Sequence, residues 1–159
     1  RSKELANQYT FMGPDQELKV NGPANCLIPP ILKESASGGL ISSVDDYMKF
    51  QEALCKENVL LSKRTTDLMR LDQLNDQTRK SYGYVNIGTG YGLGVRTIID
   101  QAANGSPIGF GPYGWGGASG SYGSIDPENK LTFFYMQHSF NTEDLRLHNS
   151  IRNVIYSHI

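Results

Sequence analysis

A chain of 159 residues predicts one domain, long enough to bury roughly two thirds of the surface its unfolded form exposes. Its 15 Lys and Arg balance 16 Asp and Glu, which excludes a basic field for nucleic acid and an acidic tail alike. No apolar run approaches the roughly 18 residues of a membrane span, and Cys26 and Cys55 fit neither a metal spacing nor Cys-x-x-Cys.

The chain opens on Arg1-Ser2-Lys3-Glu4, without an initiator Met or the apolar core of a signal peptide, and reads as a start within a longer protein. Residues 1–36 are predicted to be irregular. Within them, residues 5–12 fit a short strand or a turn around Tyr9. Gly13-Pro14-Asp15, Asn21-Gly22-Pro23 and Pro29-Pro30 then break any regular pattern. A stretch of this kind is uncommon inside a compact domain and is more often functional or packed over another lobe.

Residues 37–71 form a helical segment. Ser43 with Asp46 three residues on has the spacing of a capping box, and Asp45 and Asp46 sit where a helix dipole favours negative charge. Val44, Tyr47, Met48, Phe50 and Leu54 give a broad apolar stripe that predicts a helix, and apolar faces that a missing lobe would cover are expected to be exposed. A second helix is predicted from Ser62, with Thr65, Leu68, Met69 and Leu71 inward, and residues 72–81 read as a polar loop.

Residues 90–159 carry the sheet and a last helix. Strands are expected over 91–99, 118–125 and 131–137, with another extended piece over 108–113. Asn104-Gly105 supplies one turn and Asp126-Pro127-Glu128 begins another. Leu145, Leu147, Ile151, Val154 and Ile155 mark a closing helix, capped by Asn141 or Thr142. Helices, a meander and a final helix make an α+β fold: an antiparallel sheet of about three to four strands flanked by helices, with the last helix packed on it.

Tyr113-Gly114-Trp115-Gly116-Gly117-Ala118-Ser119-Gly120-Ser121 is the most informative run. A glycine-rich strand beside a packed apolar one marks a place where backbone must come close to something. It resembles the Trp-Gly-Gly form of the third active-site motif of the serine β-lactamase and penicillin-binding-protein superfamily. Esterase-like and peptidase-like members carry that form in place of Lys-Thr-Gly or His-Thr-Gly. Other segments resemble the C-terminal half of this family in its order. They are Glu4-Leu5-Ala6-Asn7-Gln8-Tyr9, with Gln8 where Gly is usual, and residues 37–50 from Ser37-Gly38-Gly39-Leu40 onward. Tyr91-Gly92-Leu93-Gly94 and Ile125-Asp126-Pro127 complete the set.

The resemblance implies part of a β-lactamase/transpeptidase-like fold and an acyl-enzyme mechanism, in which a Ser of Ser-x-x-Lys attacks an ester, amide or β-lactam carbonyl. It implies that the Ala118 N–H is one of two backbone donors to the oxyanion, a kind of contact worth on the order of 3 kcal/mol. Gly116, Gly117 and Ser119 would then border the substrate. Trp115 would wall the pocket where other members present a cation, which favours an ester or a less charged amide over a carboxylate-bearing substrate. The family is often exported to the bacterial cell envelope, and the resemblance implies no cofactor or metal.

No Ser in the chain is followed three residues later by Lys; Ser62-Lys63 is merely adjacent. Tyr84-Val85-Asn86 spells Tyr-x-Asn at a position where the family has a loop. Nucleophile, base and catalytic Tyr are therefore expected on an N-terminal lobe or partner chain, and this chain alone is expected to be inactive. Competing motifs fail on the residues. A nucleophile elbow at Gly117-Ala118-Ser119-Gly120 would need Gly where Ser121 stands, and Gly88-Thr89-Gly90 opens no dinucleotide fingerprint. His138, His148 and His158 lack zinc spacing and read as solvated or satisfied, and Tyr122 is open to either face. Cys26 and Cys55 read as free thiols, with a disulfide as the alternative. A non-catalytic ligand-binding module and a homo-oligomer paired through exposed strand edges are the competing functional readings.

Overall fold

The computed structural model describes residues 5–12, 17–23, 40–83, 88–105, 107–140 and 144–159. Among the segments singled out above, Gly13-Pro14-Asp15, Cys26, Pro29-Pro30, Ser37-Gly38-Gly39, Tyr84-Val85-Asn86, Asn141 and Thr142 lie outside the described residues.

The chain runs β1 (Asn7–Met12), β2 (Glu17–Pro23), α1 (Val44–Cys55), α2 (Lys63–Arg70), α3 (Asp76–Ser81), β3 (Thr89–Tyr91), β4 (Arg96–Ile98) and α4 (Gln101–Asn104). It continues through β5 (Tyr113–Gly116), β6 (Tyr122–Asp126), β7 (Leu131–Tyr135), β8 (Ser139–Phe140) and α5 (Asp144–Tyr156). An antiparallel sheet of five strands, ordered β3-β4-β5-β6-β7, forms the body, and a smaller sheet ordered β2-β1-β8 stands beside it. The α+β architecture is as expected.

Helix starts follow local chemistry. Ser43 Oγ accepts the Asp46 N–H at 3.2 Å and Ser62 Oγ accepts the Thr65 N–H at 3.2 Å, each satisfying a donor the first turn leaves open. The sequence-predicted loop over 72–81 instead contains α3, because Asn75 and Thr78 close a reciprocal capping box. The irregular reading of residues 1–36 gives way at β1 and β2, which pair antiparallel with a register shift between Gln8 and Tyr9. The alternation Leu18/Val20 that marks β2 is short, and both side chains are exposed.

The predicted strand over 91–99 is a hairpin. Gly94 adopts φ +82, and the Gly92 N–H reaches the Val95 carbonyl at 2.8 Å, turning the chain back on itself. Extended readings over 108–113 and 118–125 shorten in the same way, to strands beginning at Tyr113 and Tyr122.

Every residue of β6 is buried. Gly123 lies under Gln51 of α1, while Tyr122 and Asp126 meet Arg152 and Tyr156 of α5. Ile98, Ile108 and Tyr156 form the core cluster, joined by Leu131, Phe133 and Ile155. The Asp126 carboxylate accepts the Tyr156 O–H at 2.8 Å and the N–H groups of Glu128 and Asn129 at 3.1 Å, closing the β6–β7 turn. Burial, and then this hydrogen bond, push the Tyr156 hydroxyl far above the ordinary phenol range.

Much of the apolar stripe on α1 is exposed, as expected of a face that a missing lobe would cover. Val44 is 43% and Phe50 48% accessible, and the buried residue of the helix is Gln51. The helix lies over β6 and β7 along a narrower line, on which the Tyr47 ring meets Phe134 at a tilt, 4.6 Å between centroids. Periodicity marked the apolar face, but it could not say how much of that face these 159 residues cover.

The β3 edge of the large sheet is tied to the loop after α2. The Asp72 carboxylate accepts the Tyr91 N–H at 3.0 Å, pairs with Arg79 and accepts the Leu74 N–H at 3.3 Å, while the Gln73 N–H reaches the Tyr91 carbonyl at 2.8 Å. Tyr91 thus has both backbone groups satisfied on the side away from β4.

Candidate active-site strand and turn

The glycine-rich run forms β5 and the turn after it. In register, Gly114 lies opposite Ser124, Trp115 opposite Gly123 and Gly116 opposite Tyr122. The chain then leaves the ladder in a tight turn. The Gly117 N–H donates to Ser121 O at 2.7 Å, the Gly120 N–H donates to Gly117 O at 3.0 Å, and Gly120 takes φ +91.

Two remote elements hold the turn's carbonyls. The Ser139 N–H of β8 donates to Ser119 O at 2.9 Å, and His148 Nε2 of α5 lies 2.8 Å from Gly120 O. Ala118 sits at the exposed tip, and among the described residues its N–H has no acceptor. The turn therefore presents the Ala118 N–H to the outside while the Gly117 and Gly120 N–H groups on either side are engaged.

The glycines of the run have different reasons to be glycine. A Cβ on Gly114 would run into the Gly123 carbonyl oxygen, and one on Gly117 would strike Ser121 Oγ, the end of a movable side chain. A Cβ on Gly116 would meet nothing closer than Ser121 O at 3.5 Å, which is ordinary contact. The fold itself leaves room for a side chain at position 116.

Trp115 is half-buried. Tyr91 meets it edge-on at 5.7 Å between centroids, and the Arg96 guanidinium lies 5.2 Å from its ring centre. A cation therefore does accompany the tryptophan, supplied from β4, where Arg96 pairs with Gly114. Burial is the largest influence on Arg96, drawing it below the usual guanidinium value, and the charge of Arg152 acts in the same direction. Tyr122, left open by the sequence, belongs to the packed side: it is buried, stacked on His148 at 4.7 Å and tilted against Phe133 at 5.6 Å.

Other sequence candidates resolve into structural roles. Ser62 is a cap, and its neighbour Lys63 pairs with Asp67 at 2.6 Å. Asp46 also pairs with Lys49 at 2.9 Å, and that hydrogen bond and charge hold its carboxyl below the usual range. His138 meets Gln8 at 3.3 Å and His158 meets the Val154 carbonyl at 2.9 Å, while His148 is the satisfied buried histidine. Cys55 is a free thiol whose pKa burial raises. No group of three metal-ligating side chains occurs among the described residues, and no helix among them is long and apolar enough to cross a membrane. Arg96, Ser139 and His148 are the site neighbours sequence reasoning missed. Each lies at least 18 residues from the turn or strand residue it contacts, so no local spacing announces it.

Comparison with known proteins gives the chain a family and a fold. The family model described as Beta-lactamase matches residues 3–155. Uncharacterized protein MT1414 and Protein Rv1367c, from two strains of Mycobacterium tuberculosis, are each 32% identical to it over 129 residues, 74% of this chain. The chain spans only 31% of the length of these relatives. Among solved structures, the LovD6 mutant of simvastatin synthase from Aspergillus terreus superposes with a TM-score of 0.74 at 21% identity, covering 99% of this chain and 43% of its own. EstCE1, described as a hydrolase with promiscuous acyltransferase activity, gives 0.69 at 20% identity and covers 97% and 44%. These two show a common fold. With the family model running nearly end to end, the chain belongs to the Beta-lactamase family.

Proposed function

We propose that this chain supplies the oxyanion-donor side of a serine acyl-hydrolase active site, with the nucleophile contributed from outside these 159 residues. The observation that carries the reading is the exposed Ala118 N–H, without an acceptor among the described residues, on a turn anchored through the Gly117 and Gly120 N–H groups and the Ser119 and Gly120 carbonyls. A donor fixed before the reaction stabilises developing negative charge without reorganising, worth roughly 3 kcal/mol.

In this reading a serine hydroxyl, relieved of its proton by a neighbouring lysine, attacks the substrate carbonyl. The carbonyl oxygen becomes an oxyanion and accepts hydrogen bonds from the Ala118 N–H and from the nucleophile's own N–H. Expulsion of the leaving group gives an acyl-enzyme, and water then restores the serine. Gly116 and Gly117 let the acyl chain lie against the β5 backbone, Ser119 borders it, and Trp115 walls the pocket. The substrate is a small ester or an uncharged amide; the simvastatin synthase LovD and EstCE1, a hydrolase with promiscuous acyltransferase activity, support acyl transfer as the reaction class.

The partner of this chain is the lobe that carries Ser-x-x-Lys, a pattern absent from the sequence. Exposed Leu40, Ile41, Val44, Tyr47 and Phe50 give that lobe an apolar surface to cover. A non-catalytic binding module of the same fold is the second reading, favoured only by the absence of the nucleophile.

Turnover of p-nitrophenyl butyrate by the intact protein tests the proposal. A burst of nitrophenol equal to the protein present, followed by slower turnover, is expected. Absence of both burst and turnover, with the ester still binding, would establish the binding module instead.

A further inference from the structure

The oxyanion turn is built from residues with little stiffness of their own. Gly116, Gly117 and Gly120 frame Ala118 and Ser119, and glycine has the most backbone freedom to lose. A donor that must be aimed before the substrate arrives therefore depends on outside anchors.

His148 is the one side chain that grips a turn carbonyl among the described residues. It is 6% accessible, and its Nε2 lies 2.8 Å from Gly120 O. A carbonyl only accepts, so Nε2 carries the hydrogen and the tautomer follows from the partner. The ring is held in turn. It stacks on Tyr122 at 4.7 Å and 18° between planes, and Tyr122 is the residue paired with Gly116. One helical turn on, the Arg152 guanidinium lies 5.8 Å from the same Tyr122 ring and pairs with Asn149. Cε1 of His148 would be 3.9 Å from a Cβ on Gly116, which places the imidazole under the last residue of β5. Helix α5 thus grips the end of the motif strand and the far end of its turn through one stack of rings.

We propose that His148 is a positioning residue, holding the Gly120 carbonyl so that the Ala118 N–H is aimed at the reacting carbonyl. The inference rests on the role proposed above for Ala118. His148 acts through the turn and touches no substrate, so its removal slows acylation and leaves substrate affinity in place.

The test uses the intact protein, with active sites counted by an acylating label so that rates are per competent site. His148→Phe keeps a ring to stack on Tyr122 and removes the donor; His148→Gln restores an amide donor. His148→Met, apolar and without a donor, takes the place of His148→Phe if that variant does not fold. Expected for His148→Phe is a loss of at least about tenfold in acylation rate with KM nearly unchanged. His148→Gln should recover most of it, and the Gly120 amide, bonded to Gly117 O within the turn, should exchange faster with solvent in His148→Phe than in wild type. Equal per-site acylation in wild type and His148→Phe, or equal losses in the Phe and Gln variants, would overturn the proposal. Ala118→Pro separates the two ideas. If it acylates like wild type, the oxyanion reading itself is wrong; if it is dead while His148→Phe is fully active, only the role of His148 is wrong.

Discussion

Gly114 of β5 and Gly123 of β6 approach so closely that a single methyl group on the first would run into the carbonyl oxygen of the second. Both groups are backbone and both belong to the middle of the five-stranded sheet, so neither can move aside without opening the ladder. Gly114→Ala should therefore cost about 1–3 kcal/mol, the range of overpacking in a well-packed site. Thermal unfolding of the variant would register this as a lower Tm; an unchanged Tm would mean that β5 and β6 are farther apart than described.

Two residues further along, the expectation reverses. Gly116→Ala meets only ordinary contacts and should keep its stability within about 1 kcal/mol of wild type. If the acyl chain lies along this strand, the added methyl group should raise KM for the ester while folding is unaffected. Steady-state kinetics alongside a melting curve on the same sample would separate the two effects. A variant with normal KM would place the substrate elsewhere.

Asp72 links the loop after α2 to the β3 edge, and its removal should loosen both. Burial opposes its charge, but the Tyr91 N–H, Arg79 and the Leu74 N–H outweigh burial and hold the carboxyl below the usual range. A carboxyl depressed on folding lends stability above its unfolded pKa, near 3.9, and loses it as pH falls through the lower folded value. Asp72→Asn should cost about 1–3 kcal/mol at neutral pH. The deficit relative to wild type should shrink below about pH 4. Urea unfolding of both proteins at pH 7 and pH 3 checks the sign.

Tyr113 offers a spectroscopic check on burial. Its hydroxyl reaches the Leu54 carbonyl at 3.4 Å, and burial, with Cys55 nearby, pushes its pKa up to about 12. In a pH titration of tyrosine absorbance, Tyr113→Phe should remove a component that ionises well after the exposed tyrosines. Losing a component near pH 10 instead would place Tyr113 in water.

What was legible in the sequence was local. Ser43 and Ser62 announced helix starts because a cap acts over three residues, and the glycines around Trp115 announced a strand that must be approached closely. Residues 91–99 looked like one strand because the turn at Gly92–Gly94 sits within an otherwise extended pattern, and α3 was hidden because its capping box is wholly polar. The turn's anchors were illegible for a different reason. His148 meets Gly120 across 28 residues and Arg96 meets Gly114 across the sheet, contacts that exist only once the strands are ordered. The apolar stripe of α1 was legible as a helix, and much of the surface it presents is not covered by this chain.

The most direct test of the account is the site of covalent labelling by a fluorophosphonate in the intact protein, mapped by peptide mass spectrometry. The account predicts a modified serine followed three residues later by lysine, outside these 159 residues, and no label on this chain alone. A label on Ser119, Ser121 or any other serine of this chain would contradict it.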